Sequence, residues 1–313
     1  MSYPIRAIPT DAAGTMPKSV ERIEDVESLL AESGYVGDRE IATAIFLAIR
    51  LHRPILVEGY AGVGKTEIAK TLASALGATL YRLQCYEGLD VSSALYEWNY
   101  AKQILRIRME EKSPQSAVEK EATIFSEPYL LTRPILQALM HASENPVLLI
   151  DEVDRADEEF EAFLLEMLSE YQVSIPELGV IRAERPPYVV LTSNRVRELG
   201  DALKRRCLYL WIGYPTLQKE MQIVQTKIPG IAASLAQQIC VFVESLRTMD
   251  LDKRPGVAET LDWGMALIEL HQNHLSLDVV QSTLGCILKS FRDIERVRRA
   301  LPELVGESVS KGS

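Results

Sequence analysis

Residues 59–66 read Gly59-Tyr60-Ala61-Gly62-Val63-Gly64-Lys65-Thr66, which fits G-x-x-x-x-G-K-[ST] without a gap. These residue types suit one anion. Glycines let consecutive backbone N–H groups turn toward a phosphate. A helix beginning after the loop adds the positive end of its dipole. Lys65 offers a cation for the outer phosphates, and the Thr66 hydroxyl offers a ligand to Mg2+. The apolar run Pro54 to Glu58 precedes the loop and helical spacing follows it, which is the strand-to-helix context such a loop needs.

A second cluster is Val147-Leu148-Leu149-Ile150-Asp151-Glu152. Four apolar residues bury a strand, and two carboxylates sit at its C-terminal end, where parallel sheets bind ligands. Asp151 suits the Mg2+ shell through water. Glu152 suits polarising an attacking water. The plainer reading is a solvated acidic loop, since Asp154, Asp157, Glu158 and Glu159 follow. The third cluster, Leu191-Thr192-Ser193-Asn194, ends a strand in an amide. Asn194 either holds that water or a phosphate, or simply turns the chain. The fourth, Ala202-Leu203-Lys204-Arg205-Arg206-Cys207, closes a helix. Its cations either answer the helix dipole or reach into a neighbouring subunit as an arginine finger.

Elements must position these groups. Val20, Ile23, Val26, Leu29 and Leu30 recur at helical spacing up to Gly34, and Asp38 can cap a second helix through about His52. Strands are expected at 54–58, 80–85, 147–150, 189–192 and 208–212, with helices at about 65–76, 132–144 and 160–168. Gln103 to Arg108 alternates like a strand, and 172–188 reads as a hairpin with Gly179 near its tip. Beyond Gly213 only helices are expected, at about 216–228, 231–247, 257–271 and 276–300. The fold class is therefore α/β: a parallel-sheet core over 19–213, then a small all-α domain over 214–303. A flexible leader is expected over 1–18 and a flexible tail over 304–313.

Apolar residues are 47% and charged residues 25%, which excludes a disordered chain or a fibre. A net charge of −10 argues against a generic nucleic-acid-coating surface. No apolar h-region opens the chain, and no apolar run approaches the ~18 residues of a membrane span. Cys85, Cys207, Cys240 and Cys286 form no CxxC, so neither a zinc site nor a disulfide framework is indicated. The expectation is a reduced, cytoplasmic protein.

Taken in this order and spacing, the four clusters resemble those of an AAA+ ATPase over roughly residues 20–300. More narrowly, the chain resembles the MoxR family, and within it the CoxD-like members linked to carbon monoxide dehydrogenase maturation. The stretches carrying that likeness are 83–90, 96–100, 201–209 and 254–263. The resemblance implies hexameric homo-oligomeric rings that bind ATP and Mg2+ between subunits. It implies Arg206 as the finger with Arg205 as the alternative, and Tyr35 and Val36 against the adenine. It extends the ATP-binding set from Gly59 through Glu67. It also implies an insert over 86–108 facing a pore or a client, a von Willebrand factor A domain partner and a client metalloenzyme. Many MoxR-type proteins carry a second-sensor arginine near 257. Glu259 falls there in this chain, with Arg254 nearby. The aromatic residues Tyr86, Tyr96, Trp98 and Tyr100 either grip a client or pack the insert. Arg292, Arg296, Arg298 and Arg299 read as a solvated helix face or a docking surface. The rival function is a nucleic-acid motor or loader, which the acidic pI weighs against.

Overall fold

The computed structural model describes residues 20–109 and 117–311, so the expected leader over 1–18 lies outside the described residues. In chain order the elements begin with α1 (Ile23–Glu32), α2 (Arg39–Leu51), β1 (Ile55–Gly59), α3 (Lys65–Leu76) and β2 (Leu80–Gln84). Next come α4 (Val91–Leu95), β3 (Tyr96–Trp98), α5 (Tyr100–Met109), α6 (Ala117–Ile124), β4 (Leu130–Thr132) and α7 (Pro134–Leu139). Then follow β5 (Val147–Asp151), α8 (Glu158–Glu170), β6 (Gln172–Ile175), β7 (Gly179–Arg182), β8 (Tyr188–Ser193), α9 (Asp201–Arg206) and β9 (Leu208–Ile212). Helices α10 (Leu217–Lys227), α11 (Ala233–Thr248), α12 (Val257–Glu269), α13 (Leu277–Ile287) and α14 (Phe291–Lys311) complete the chain.

The chain forms two compact units. Among the described residues, one holds 20–26, 39–58 and 66–210; the other holds 27–38, 59–65 and 211–311. In the first, a five-stranded sheet has the order β2-β5-β8-β1-β9. The pairs β2/β5, β5/β8 and β8/β1 are parallel. Strands β1 and β5 are buried along their whole length, as a parallel sheet covered on both faces requires. The register sets Gln84 beside Asp151 and Glu58 beside Ser193, so the polar ends of these strands share one edge. Below that edge, Leu56, Leu148, Ile150, Leu164 and Leu191 belong to one apolar core.

The second unit has its own core, in which Leu235, Ile239, Phe242, Trp263, Leu284 and Val297 pack together. Trp263 is fully buried, and its indole N–H donates to Thr283 Oγ1 at 2.9 Å. A buried ion pair links α10 to α11. Arg247 Nη1 and Nη2 meet Glu220 Oε2 and Oε1 at 2.6 and 2.8 Å, and Thr260 of α12 donates to Glu220 Oε1 at 2.7 Å.

Several expectations are corrected. Gln103–Arg108 lies in helix α5, not a strand; Asn99 caps it by accepting from Lys102 N. Ile104, Leu105 and Ile107 are all exposed, so the alternation had no buried face to serve. The helix expected over 132–144 is shorter: 130–132 forms β4, paired antiparallel with β3, and α7 ends at Leu139. The single helix expected over 276–300 is two. The chain breaks at Leu288, itself buried, and α14 restarts at Phe291. Helix α14 then runs past Pro302 to Lys311, through most of the 304–313 stretch expected as a tail; residues 312–313 lie outside the described residues. Val305 is buried in the second core, and Ser308, also buried, donates to Leu304 O within the helix. Among the aromatics, Trp98 is buried edge-on to Phe125 and Tyr96, whereas Tyr86 and Tyr100 are exposed.

Candidate active site

In the first unit the chemistry converges on Asp151, which β5 delivers buried at its C-terminal end. Its Oδ1 accepts from Thr66 Oγ1 at 2.9 Å and from Thr192 Oγ1 at 2.5 Å. Its Oδ2 accepts from Arg82 Nε at 3.1 Å and Nη2 at 2.6 Å. Four donor atoms thus fix the direction of one carboxylate. Thr66, the second residue of α3, and Asp151 are therefore brought together. Hydroxyl and carboxylate oxygens are the donors a hard divalent cation takes. Among the described residues no group of three or more His, Cys, Asp or Glu could hold a metal alone.

Glu152 follows in the left-handed region, with φ +54°. A non-glycine residue there carries strain, and such strain clusters at functional sites. Three contacts hold it. Its N–H donates to Thr192 Oγ1 at 2.9 Å, Asn194 Nδ2 donates to its Oε1 at 3.1 Å, and Arg155 Nε lies 2.7 Å from its Oε2. Asn194 thus makes a side-chain contact besides its place in the turn, its amide donating to the Glu152 carboxylate. Asp154 corrects the solvated-loop reading. It is buried and accepts from the backbone N–H of Asn194 and of Val196, clamping the turn that carries Asn194. Asp157 instead caps α8 through Phe160 N.

The second unit contains the loop 59–65. Lys65 is buried and donates to the carbonyls of Gly59 and Tyr60 at 2.8 and 2.6 Å. Gly62 and Gly64 have φ of +73° and +93°, conformations that L side chains rarely adopt, so the loop's curvature depends on these glycines. A Cβ on Gly59 would lie 2.1 Å from Ile212 O, so no other residue fits there. Val63 is buried and Ala61 exposed. Tyr60 stacks on Tyr214 with centroids 4.5 Å apart and meets Trp211 edge-on at 5.5 Å. Tyr35 and Val36 are half-buried in the turn after α1, where Tyr35 N–H donates to Leu30 O. Glu67 makes a surface pair with Lys70.

Arg205 and Arg206 are exposed in the last turn of α9 and take no part in the Asp151 cluster. Arg53 donates to the carbonyls of Arg205, Arg206 and Cys207, so another cation answers the helix terminus and both arginine side chains stand clear of it. Sequence reasoning did not find Arg82, Arg155 or Asp154, and it left Thr192 without a role. The signal for Thr192 was a hydroxyl at the end of an apolar strand. Arg82 had no signal, because its meeting with Asp151 depends on strand register. Cys85 lies beside the cluster, yet burial first and then the charges of Asp151, Asp154 and Glu152 push its thiol up to about 12, so it is no nucleophile.

Residues 54–207 match the family model of the AAA domain, dynein-related subfamily. The chain is 25% identical over 272 residues to an uncharacterized protein of Staphylococcus haemolyticus, covering 84% of this chain and 92% of that one. It is 26% identical over 274 residues to an uncharacterized protein of Staphylococcus epidermidis, covering 84% of this chain and 92% of that one. Among solved structures, a mutant of Thermotoga maritima RuvB aligns with a TM-score of 0.48 and 17% identity, covering 95% of this chain and 89% of that one. Over residues 54–207 the chain is thus similar to AAA domains of the dynein-related subfamily, and it is an ATPase.

Proposed function

We propose that the protein is a Mg2+-dependent ATPase of MoxR type, CoxD-like, whose turnover remodels a client metalloenzyme. The observation that supports hydrolysis most directly is the Glu152–Asn194 bond beside the Thr66–Asp151 pair. Lys65 and the 59–64 amides are to hold the phosphates. Thr66 and Asp151 are to hold Mg2+, which when bound neutralises phosphate charge. Glu152, oriented by Asn194, takes the proton of the attacking water. Tyr35 and Val36 flank the adenine. Positioning and charge neutralisation supply the rate, since phosphoryl transfer needs little covalent chemistry.

The likeness of the motifs carries the rest: a cytoplasmic hexameric ring, Arg206 (or Arg205) completing a neighbour's site, a von Willebrand factor A domain partner, and cofactor insertion as the work done. The exposure of both arginines fits a role outside their own subunit. Turnover of MgATP tests the reading. The wild type is expected to hydrolyse ATP. Glu152→Gln is expected to bind ATP with little change and to turn over about 10²–10⁴-fold more slowly. Equal turnover in the variant removes Glu152 from the role. Stimulation by DNA, absent with a client, points to the motor reading instead.

A further inference from the structure

Within the second unit, the phosphate loop is fastened to the first turn of α12. Ala258 N donates to Gly62 O at 3.0 Å. The approach is so close that a Cβ on Gly256 would lie 2.6 Å from Ala61 O and 2.9 Å from Gly62 Cα. At the same place Glu259 folds back over its own helix start, its Oε2 accepting from Gly256 N at 2.9 Å. That carboxylate oxygen lies against the loop, 2.8 Å from where a Cβ on Gly62 would stand. An anion therefore sits against the glycine at the centre of the segment whose amides are to bind another anion.

Two cations of this unit are engaged with other groups. Lys65 donates to the loop's own carbonyls. Arg247 forms a two-pronged pair with Glu220 and lies 4.6 Å over the Tyr214 ring. Arg254 is exposed. A carboxylate this near a polyphosphate raises the free energy of the bound state in proportion to the phosphate charge.

We propose that Glu259 sets nucleotide affinity: its charge weakens polyphosphate binding at the loop and so favours release of product. Its hydrogen bond shapes the helix start, but its charge does the discriminating. This inference rests on the nucleotide reading of the loop and deepens it. Glutamine keeps the reach and the acceptor oxygen of the capping contact while removing the charge.

The test is a titration of wild type and Glu259→Gln with ATP, ADP and adenosine in the presence of EDTA, at low and high salt. The variant is expected to bind ATP about tenfold more tightly, ADP by a smaller factor, and adenosine unchanged, with the gain shrinking as salt rises. A purely structural role would move all three ligands together. Equal affinities, weaker binding, or a gain shared by adenosine overturns the inference while the wild type still binds ATP. Failure of the folded wild type to bind ATP or ADP overturns the nucleotide reading and this inference with it.

Discussion

Thr192 links the two acidic residues of the site through one oxygen. Its hydroxyl donates to Asp151 Oδ1 and accepts from Glu152 N–H, so the Asp151 carboxylate and the strained residue after it are held by the same atom. Thr192→Val keeps the branched shape in a fully buried position and removes that oxygen. The substitution is expected to lower kcat about tenfold or more, with the Kd for ADP within about twofold of wild type. Steady-state kinetics and an ADP titration check it, and an unchanged kcat would show that Glu152 needs no such tether. At the same scale, burial raises three of the four thiols. Cys85 and Cys207 are pushed up to about 12, and Cys240 is raised as well, whereas Cys286 is half-buried with no comparable burial. Brief iodoacetamide treatment of the native protein near pH 8 is expected to label Cys286 alone, read by peptide mass spectrometry. Labelling of Cys85 would contradict the packing around Asp151.

The elements that carry the site were readable because each has a local physical signature. β1 and β5 are unbroken apolar runs, the form that strands buried on both faces of a parallel sheet take. The loop between β1 and α3 declares itself through glycines and Lys65-Thr66. Legibility fails where contacts between distant segments decide. α5 offered an alternating pattern over 103–108, but its residues favour helix intrinsically and Asn99 caps them. The break between α13 and α14 has no glycine or proline. It is set by burial of Ile287 and Leu288, and by Asp293, buried at the start of α14, which accepts from Asp252 N and Lys253 N. Arg247 is the strongest case of a contact decided by packing. Its buried pair with Glu220 joins α10 and α11, and its Nε donates to Pro255 O just before α12. Arg247→Ala leaves Glu220 charged and buried, and is expected to cost about 3–5 kcal/mol of stability. Chemical denaturation measures it. The double variant Arg247→Met/Glu220→Leu is expected to recover most of the loss, because breaking a buried pair is worse than replacing it.

For the whole molecule, the proposed role of Arg206 in a neighbouring subunit can be tested because Arg205 and Arg206 are exposed. If Arg206 completes a neighbour's site, Arg206→Ala binds ATP normally and turns over poorly. Mixing it with Lys65→Ala subunits, which cannot bind ATP but still carry Arg206, is expected to restore part of the activity. Co-assembly is verified by light scattering or mass photometry of the mixture, and no recovery in a verified mixture would remove the trans role. No helix among the described residues is long and apolar enough to cross a membrane.

Calorimetric titration of the folded protein with ATP and Mg2+ tests the central claim, that the 59–66 segment holds a nucleotide's phosphates. Saturable heat is expected with the wild type and none with Lys65→Ala. No heat from the wild type, or the same affinity in the variant, would contradict the account.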